Sequence, residues 1–92
     1  MRFIYPAVVS KEEDGRYHAV FPDLDTCEAY GDSLDDVLRN ANHEAYAWIE
    51  LEMQEDDPYL PAATDHADLD LKEGEIVRDI LVIYRILEGW EE

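Results

Sequence analysis

Positive charge is what this chain has least of. Lys and Arg together number seven against 24 Asp and Glu, which gives a formal charge of −17 at neutral pH. The seven bases (Arg2, Lys11, Arg16, Arg39, Lys72, Arg78 and Arg85) are scattered and build no stripe or cluster. Affinity for nucleic acid comes chiefly from neutralising phosphates with such side chains, so direct binding of DNA or RNA is not expected. Long apolar runs are missing as well: none approaches the roughly 18 residues of a membrane span, and Met1 to Pro6 lacks the apolar core of a signal peptide. Cysteine occurs once, at Cys27, which excludes an internal disulfide and suits a reducing, cytoplasmic setting. With 92 residues the chain is expected to form one domain, 1–92.

Residues 1–31 read as three strands. Positions 2–9 are rich in aromatic and β-branched types, and Pro6 implies an edge strand or an outward-facing position there, because proline cannot donate to a ladder. Asp14-Gly15 signals a hairpin into a second strand at Arg16 to Phe21, and a short third strand follows around Cys27 to Tyr30. Ser33 is placed to cap a helix over 33–54, its hydroxyl accepting from the Asp36 amide while the Asp36 carboxylate reaches back. Leu34, Val37, Leu38, Ala41, Ala45, Trp48, Ile49 and Met53 recur at helical spacing and form a core-facing stripe. Residues 55–75 read as an irregular connection, 76–87 as the final strand and 88–92 as a tail. The class is therefore α+β: a small antiparallel sheet with one long helix on one face, in the order β-β-β-α-β.

Few residues invite a chemical role. Nothing brings His18, His43 or His66 to Cys27 to activate it, and a lone strand cysteine is ordinarily a small buried hydrophobe. No two histidines have metal-ligand spacing. No catalytic residue, metal or cofactor is expected. Trp90, in an acidic tail, either folds back on the core or anchors a partner.

Several elements occur together in an unusual order: Tyr5-Pro6-Ala7, Glu13-Asp14-Gly15, Tyr17, Phe21-Pro22-Asp23-Leu24, Cys27, Gly31-Asp32-Ser33-Leu34 and Asn40-Ala41. Over about residues 3–53 they resemble the HicB antitoxin family, in which a "fPDLpGC" turn is followed by "GdtleEAl.nA" opening the helix. The chain departs from that pattern at Asp25-Thr26, where the family has Pro-Gly, and at Ala63-Thr64, where it has Pro-Ser. It also ends at Glu92, where many relatives continue into an operator-binding domain, so no such domain is expected here. The resemblance implies a partial RNase H-like fold without nuclease activity. It further implies a role as antidote to HicA-type toxins, small basic proteins that cleave mRNA with a histidine.

An RNase H-like fold directs attention to Asp23, Asp25, Glu28 and Asp32 near the strand ends, since two-metal hydrolysis needs converging acids. Among so many acids such neighbours arise by chance, and bases to hold a substrate are missing nearby. Residual nuclease activity is thus the weakest reading. The leading one is a binding module whose acidity complements a basic toxin, with Asp23, Asp25, Glu28 and Trp90 as candidate contacts. The alternative is a structural or regulatory domain that self-associates without a toxin.

Self-association, as a homodimer or higher homo-oligomer, is expected on separate grounds. In the final strand Ile76, Ile80, Val82, Tyr84 and Ile86 point one way and Val77, Leu81 and Ile83 the other, so both faces are apolar. One helix covers one face only. Ile80, Val82, Tyr84 and Ile86 are the candidate contacts, unless residues 58–74 fold across the open face instead.

Overall fold

A computed structural model describes residues 1–85. The chain runs β1 (Arg2–Lys11), β2 (Tyr17–Val20), β3 (Glu28–Gly31), α1 (Leu34–Met53), a single 3-10 turn (His66–Asp68) and β4 (Ile76–Ile83). The strands form one antiparallel sheet in the order β3-β2-β1-β4, the α+β arrangement read from the sequence.

The β1–β2 hairpin closes where Asp14-Gly15 signals it. Gly15 takes φ +92, and its amide donates to the Glu12 carbonyl at 3.0 Å. β1 is not an edge strand, contrary to one expectation from Pro6. It lies between β2 and β4, yet β2 pairs only with Val8 to Lys11, and β4 with Arg2 to Val9. Met1 and Tyr84 exchange both backbone hydrogen bonds, at 2.8 and 2.9 Å. Alternation from that pair turns the Pro6 nitrogen away from β4, toward the side where β2 has already ended. The missing donor therefore costs no ladder bond.

Ser33 caps α1, its Oγ accepting from the Asp36 amide at 3.1 Å. The Asp36 carboxylate reaches back to accept from the Asp32 amide at 3.4 Å, one residue beyond the N-cap amide that a capping box uses. The Arg39 guanidinium, followed by that amide, holds the Asp36 carboxyl below its ordinary pKa. Val37, Ala41, Ala45 and Ile49 of the helix are buried against Tyr5, Ala7, Val9, Ala19, Ala29, Ile80 and Val82 of the sheet. Alanines on both sides let helix and sheet approach closely. Each large aliphatic chain buried here contributes about 1.5–3 kcal/mol.

Two expectations for the last third need correction. The final strand stops at Ile83 and not at residue 87; positions 86 and 87 lie outside the described residues. More consequentially, Ile80 and Val82 belong to the core under α1, and Tyr84 packs against it with its ring 5.7 Å from that of Tyr46. Ile80 and Val82 are covered within the chain and cannot face a second copy, while Tyr84 is partly covered. Ile86 lies outside the described residues.

The connection from α1 to β4 crosses part of the opposite face. His66 Nε2 lies 2.8 Å from Asp79 Oδ1, and Ala63 to Ala67 wall a groove whose floor includes Ile4 and Pro6. Pro6 is fully buried as a result. Ile4, Leu81 and Ile83 on the same face stay exposed.

Candidate functional site

The family-like turn, Phe21 to Cys27, links β2 to β3. Three short backbone bonds hold it: Phe21 N–H to Cys27 O at 3.1 Å, Leu24 N–H to Phe21 O at 3.3 Å and Cys27 N–H to Leu24 O at 3.0 Å. Phe21, Leu24 and Cys27 plug into the core, while Pro22, Asp25 and Thr26 face water. The alternation explains why apolar residues recur every third position within a polar turn. Among the described residues Thr26 is the one non-glycine with positive φ, at 61°. That is the left-handed region where glycine sits without strain, and here a β-branched residue occupies it. Gly31, at the end of β3, meets a different demand: a Cβ there would lie 2.4 Å from the Val37 backbone nitrogen.

Side chains from elsewhere clamp the turn. The Trp48 indole donates to the Asp25 carbonyl at 2.9 Å. Asp23 accepts from both the amide (2.9 Å) and the hydroxyl (2.5 Å) of Thr64, and the Tyr5 hydroxyl donates to the Pro61 carbonyl at 2.6 Å. Burial, then the nearby Asp23 charge, raises the Tyr5 pKa, which keeps that hydroxyl a donor. Ala63-Thr64 therefore belongs to the same structural unit as the turn, although 41 residues separate Thr64 from Asp23.

The structure disperses the acidic candidates. Asp23 is committed to Thr64, and Glu28 lies 2.7 Å from His18 Nε2, whose ring stacks on Tyr30 at 4.3 Å. Asp25 alone of the three directs an exposed side chain outward without such a partner among the described residues. Trp90 lies outside the described residues. Among those described, no three His, Cys, Asp or Glu side chains come together as a metal site. Burial, with Glu44 and Glu28 nearby, pushes the Cys27 thiol up to about 11, so it is a poor nucleophile at neutral pH.

A stronger acidic feature went unread as a site in the sequence. Glu50, Glu52, Glu55, Asp56 and Asp57 crowd the C-terminal end of α1, and no base lies in its last turn. The helix dipole is negative there, so these charges repel it as well as one another. Leu51 and Tyr59 beside them are 66% and 71% exposed. Only the run of acids from Glu55 to Asp57 before Pro58 signals this in the sequence.

Charge compensation across the described surface is slight. Arg39 with Asp36 is the one ion pair made there by Lys or Arg. Lys11 and Arg16 lie over the rings of Tyr17 and Tyr30 instead.

Comparisons with known proteins agree with this architecture. Residues 5–85 match the family model described as the HicB_like antitoxin of bacterial toxin-antitoxin systems. A chain of the HicA3 and HicB3 toxin-antitoxin complex is 32% identical, with TM-score 0.65 over 88% of this chain and 96% of that one. The N-terminal domain of the antitoxin HicB from Burkholderia pseudomallei shares the fold at TM-score 0.69 and 21% identity, covering 91% of this chain and all of that one. UPF0150 protein ssr1765 of Synechocystis sp. is 33% identical over 54 residues, which are 59% of this chain and 68% of the relative. No helix among the described residues is long and apolar enough to cross a membrane. The chain belongs to the HicB-like antitoxin family of bacterial toxin-antitoxin systems.

Proposed function

We propose that this chain neutralises a small basic toxin of the HicA type by covering the surface with which that toxin grips RNA. The observation that carries the reading is the uncompensated acidity: a net charge of −17 with one Lys/Arg ion pair among the described residues. Such a surface attracts a basic partner over several ångströms, and competes with RNA for the same cations. The acids at the end of α1 together with exposed Leu51 and Tyr59 combine charge with apolar contact, as protein interfaces do. Asp25, at the tip of the clamped turn, adds a rigidly presented carboxylate. Likeness to a chain of the HicA3 and HicB3 complex supports a toxin as the partner class.

The mechanism is occlusion. With its bases paired to carboxylates, the toxin cannot bring substrate phosphates to its histidine, and this chain needs no catalytic group, metal or cofactor of its own. Co-purification with the small basic product of an adjacent reading frame tests the reading. A complex that survives gel filtration at low salt supports it; two separate peaks contradict it.

A further inference from the structure

We infer that residues 86–92 fold back over the open face of the sheet and seat the Trp90 ring on Ile4 and Leu81. Alternation puts Arg2, Ile4, Pro6, Leu81 and Ile83 on this face, away from α1. The crossing segment buries Pro6 but leaves Leu81 39%, Ile83 48% and Ile4 52% exposed. Ile4 and Pro6 also floor a groove of about 540 Å³ walled by Ala63 to Ala67 and Asp79, a size that suits a small organic group. The apolar strip and the groove meet at Ile4, so one occupant can cover both.

The segment has both the reach and the chemistry. Backbone bonds of 2.8 and 2.9 Å pin Tyr84 to Met1, which fixes where it starts. Trp90 is six residues further on, up to about 20 Å of extended chain. Leu81, opposite Ile4, lies three residues back from Tyr84, about 10 Å along the strand. The difference leaves length for a reversal, which Gly89 accommodates. Ile86, Leu87 and Trp90 supply three large apolar side chains to match the strip. An indole N–H needs an acceptor once its ring is covered. The groove offers two carboxylates, Asp79 and Asp65, and the latter makes no cap bond to the 3-10 turn that follows it.

Charge selects this face over the rest of the surface. Glu88, Glu91 and Glu92 make the segment acidic on a chain that is acidic almost everywhere. The end of α1, with Glu55, Asp56 and Asp57, repels it. Arg2 stands at the end of the strip nearest to the segment, and Arg85 directly precedes it. Neither arginine makes an ion pair among the described residues. A basic occupant would meet the same two arginines as repulsion, so the strip suits an acidic segment better than the toxin.

Nuclear Overhauser contacts in the full chain, with Ile and Leu methyls labelled, test the placement. The Trp90 ring should contact the methyls of Ile4 and Leu81. Trp90→Ala should shift those methyl resonances while the circular dichroism spectrum stays unchanged. Tryptophan emission gives a second reading, because subtracting the spectrum of Trp90→Phe isolates Trp90 from Trp48. The Trp90 band should be blue-shifted and shielded from acrylamide. Ile4→Lys, Leu81→Lys and Arg2→Glu should each move it toward the emission of water-exposed indole. Absence of contact between Trp90 and both methyls, or a Trp90 band already at the water-exposed position, would overturn the inference. Contacts found only between differently labelled copies would overturn it too, by giving the strip to a second copy. So would Ile4 and Leu81 methyls that become covered only when the toxin is added.

Discussion

The Trp48 indole nitrogen lies 2.9 Å from the Asp25 carbonyl oxygen, so the second half of α1 holds the tip of the turn that leads out of β2. Trp48→Phe keeps the ring's packing and removes the donor. A loss of about 1–2 kcal/mol in urea unfolding is expected, the cost of one hydrogen bond and some lost contact. The Asp25 turn should also gain amide exchange. Unchanged stability and exchange would show that the bond holds nothing.

Thr26 occupies a backbone conformation that suits glycine. Thr26→Gly relieves strain of roughly 1–2 kcal/mol, offset in part by about 0.4–1 kcal/mol of extra freedom in the unfolded chain. A net gain near 0.5–1 kcal/mol is expected, seen as a melting temperature higher by about 2–8 °C. A fall would mean that the Thr26 hydroxyl, bonded to the Asp25 carbonyl at 2.6 Å, matters more than the strain.

Gly31 is required by space. Its missing Cβ would sit 2.4 Å from the Val37 nitrogen and 2.7 Å from its Cα, both backbone atoms that a rotamer change cannot move. Gly31→Ala should cost at least about 1–3 kcal/mol. Denaturant unfolding checks it, and a variant as stable as the parent would contradict the close approach of β3 to α1.

Cys27 should be nearly inert in the folded chain. With its pKa moved from 9.0 to about 11 by burial and the nearby Glu44 and Glu28, its thiolate at pH 8 is roughly 100-fold scarcer than in an exposed cysteine. Iodoacetamide should therefore label it quickly only after unfolding. The linkage has a definite sign. The folded pKa is the higher one, so the folded state retains its proton longer, and stability falls as pH rises from about 9 toward 11. Stability that rises over that window would contradict the assignment.

Much of this was legible in the sequence because it depends on local chemistry. Ser33 and Asp36 announce the helix start, Asp14-Gly15 the hairpin, and the stripe from Leu34 to Met53 the buried face of α1. What period-two alternation cannot supply is which of two apolar faces the helix will cover. Ile80 and Val82 went to the core because Ala7, Ala19 and Ala29 on that face let Ala41 and Ala45 come close. Pro6 shows the same limit: its tolerance depends on where β2 ends, which is a property of the pairing and not of β1. The acidic candidates around Asp23 were displaced for a tertiary reason too, since Thr64 arrives from a distant segment to bind that carboxylate.

Toxin association should be fast at low ionic strength and slow steeply as salt rises, because opposite charges steer encounter only within a Debye length, about 8 Å at physiological salt. Replacing Glu55, Asp56 and Asp57 by their amides should slow association while leaving the fold intact. Stopped-flow rates that do not respond to salt or to these changes would assign the acidity to solubility alone.

Capping of the toxin is tested most directly by RNA cleavage. The toxin from the neighbouring reading frame is incubated with labelled RNA while this chain is titrated in at low salt. Cleavage should fall linearly and vanish at a fixed stoichiometric ratio, with RNA displaced from the toxin in parallel. Undiminished cleavage in the presence of excess chain would contradict the proposed function.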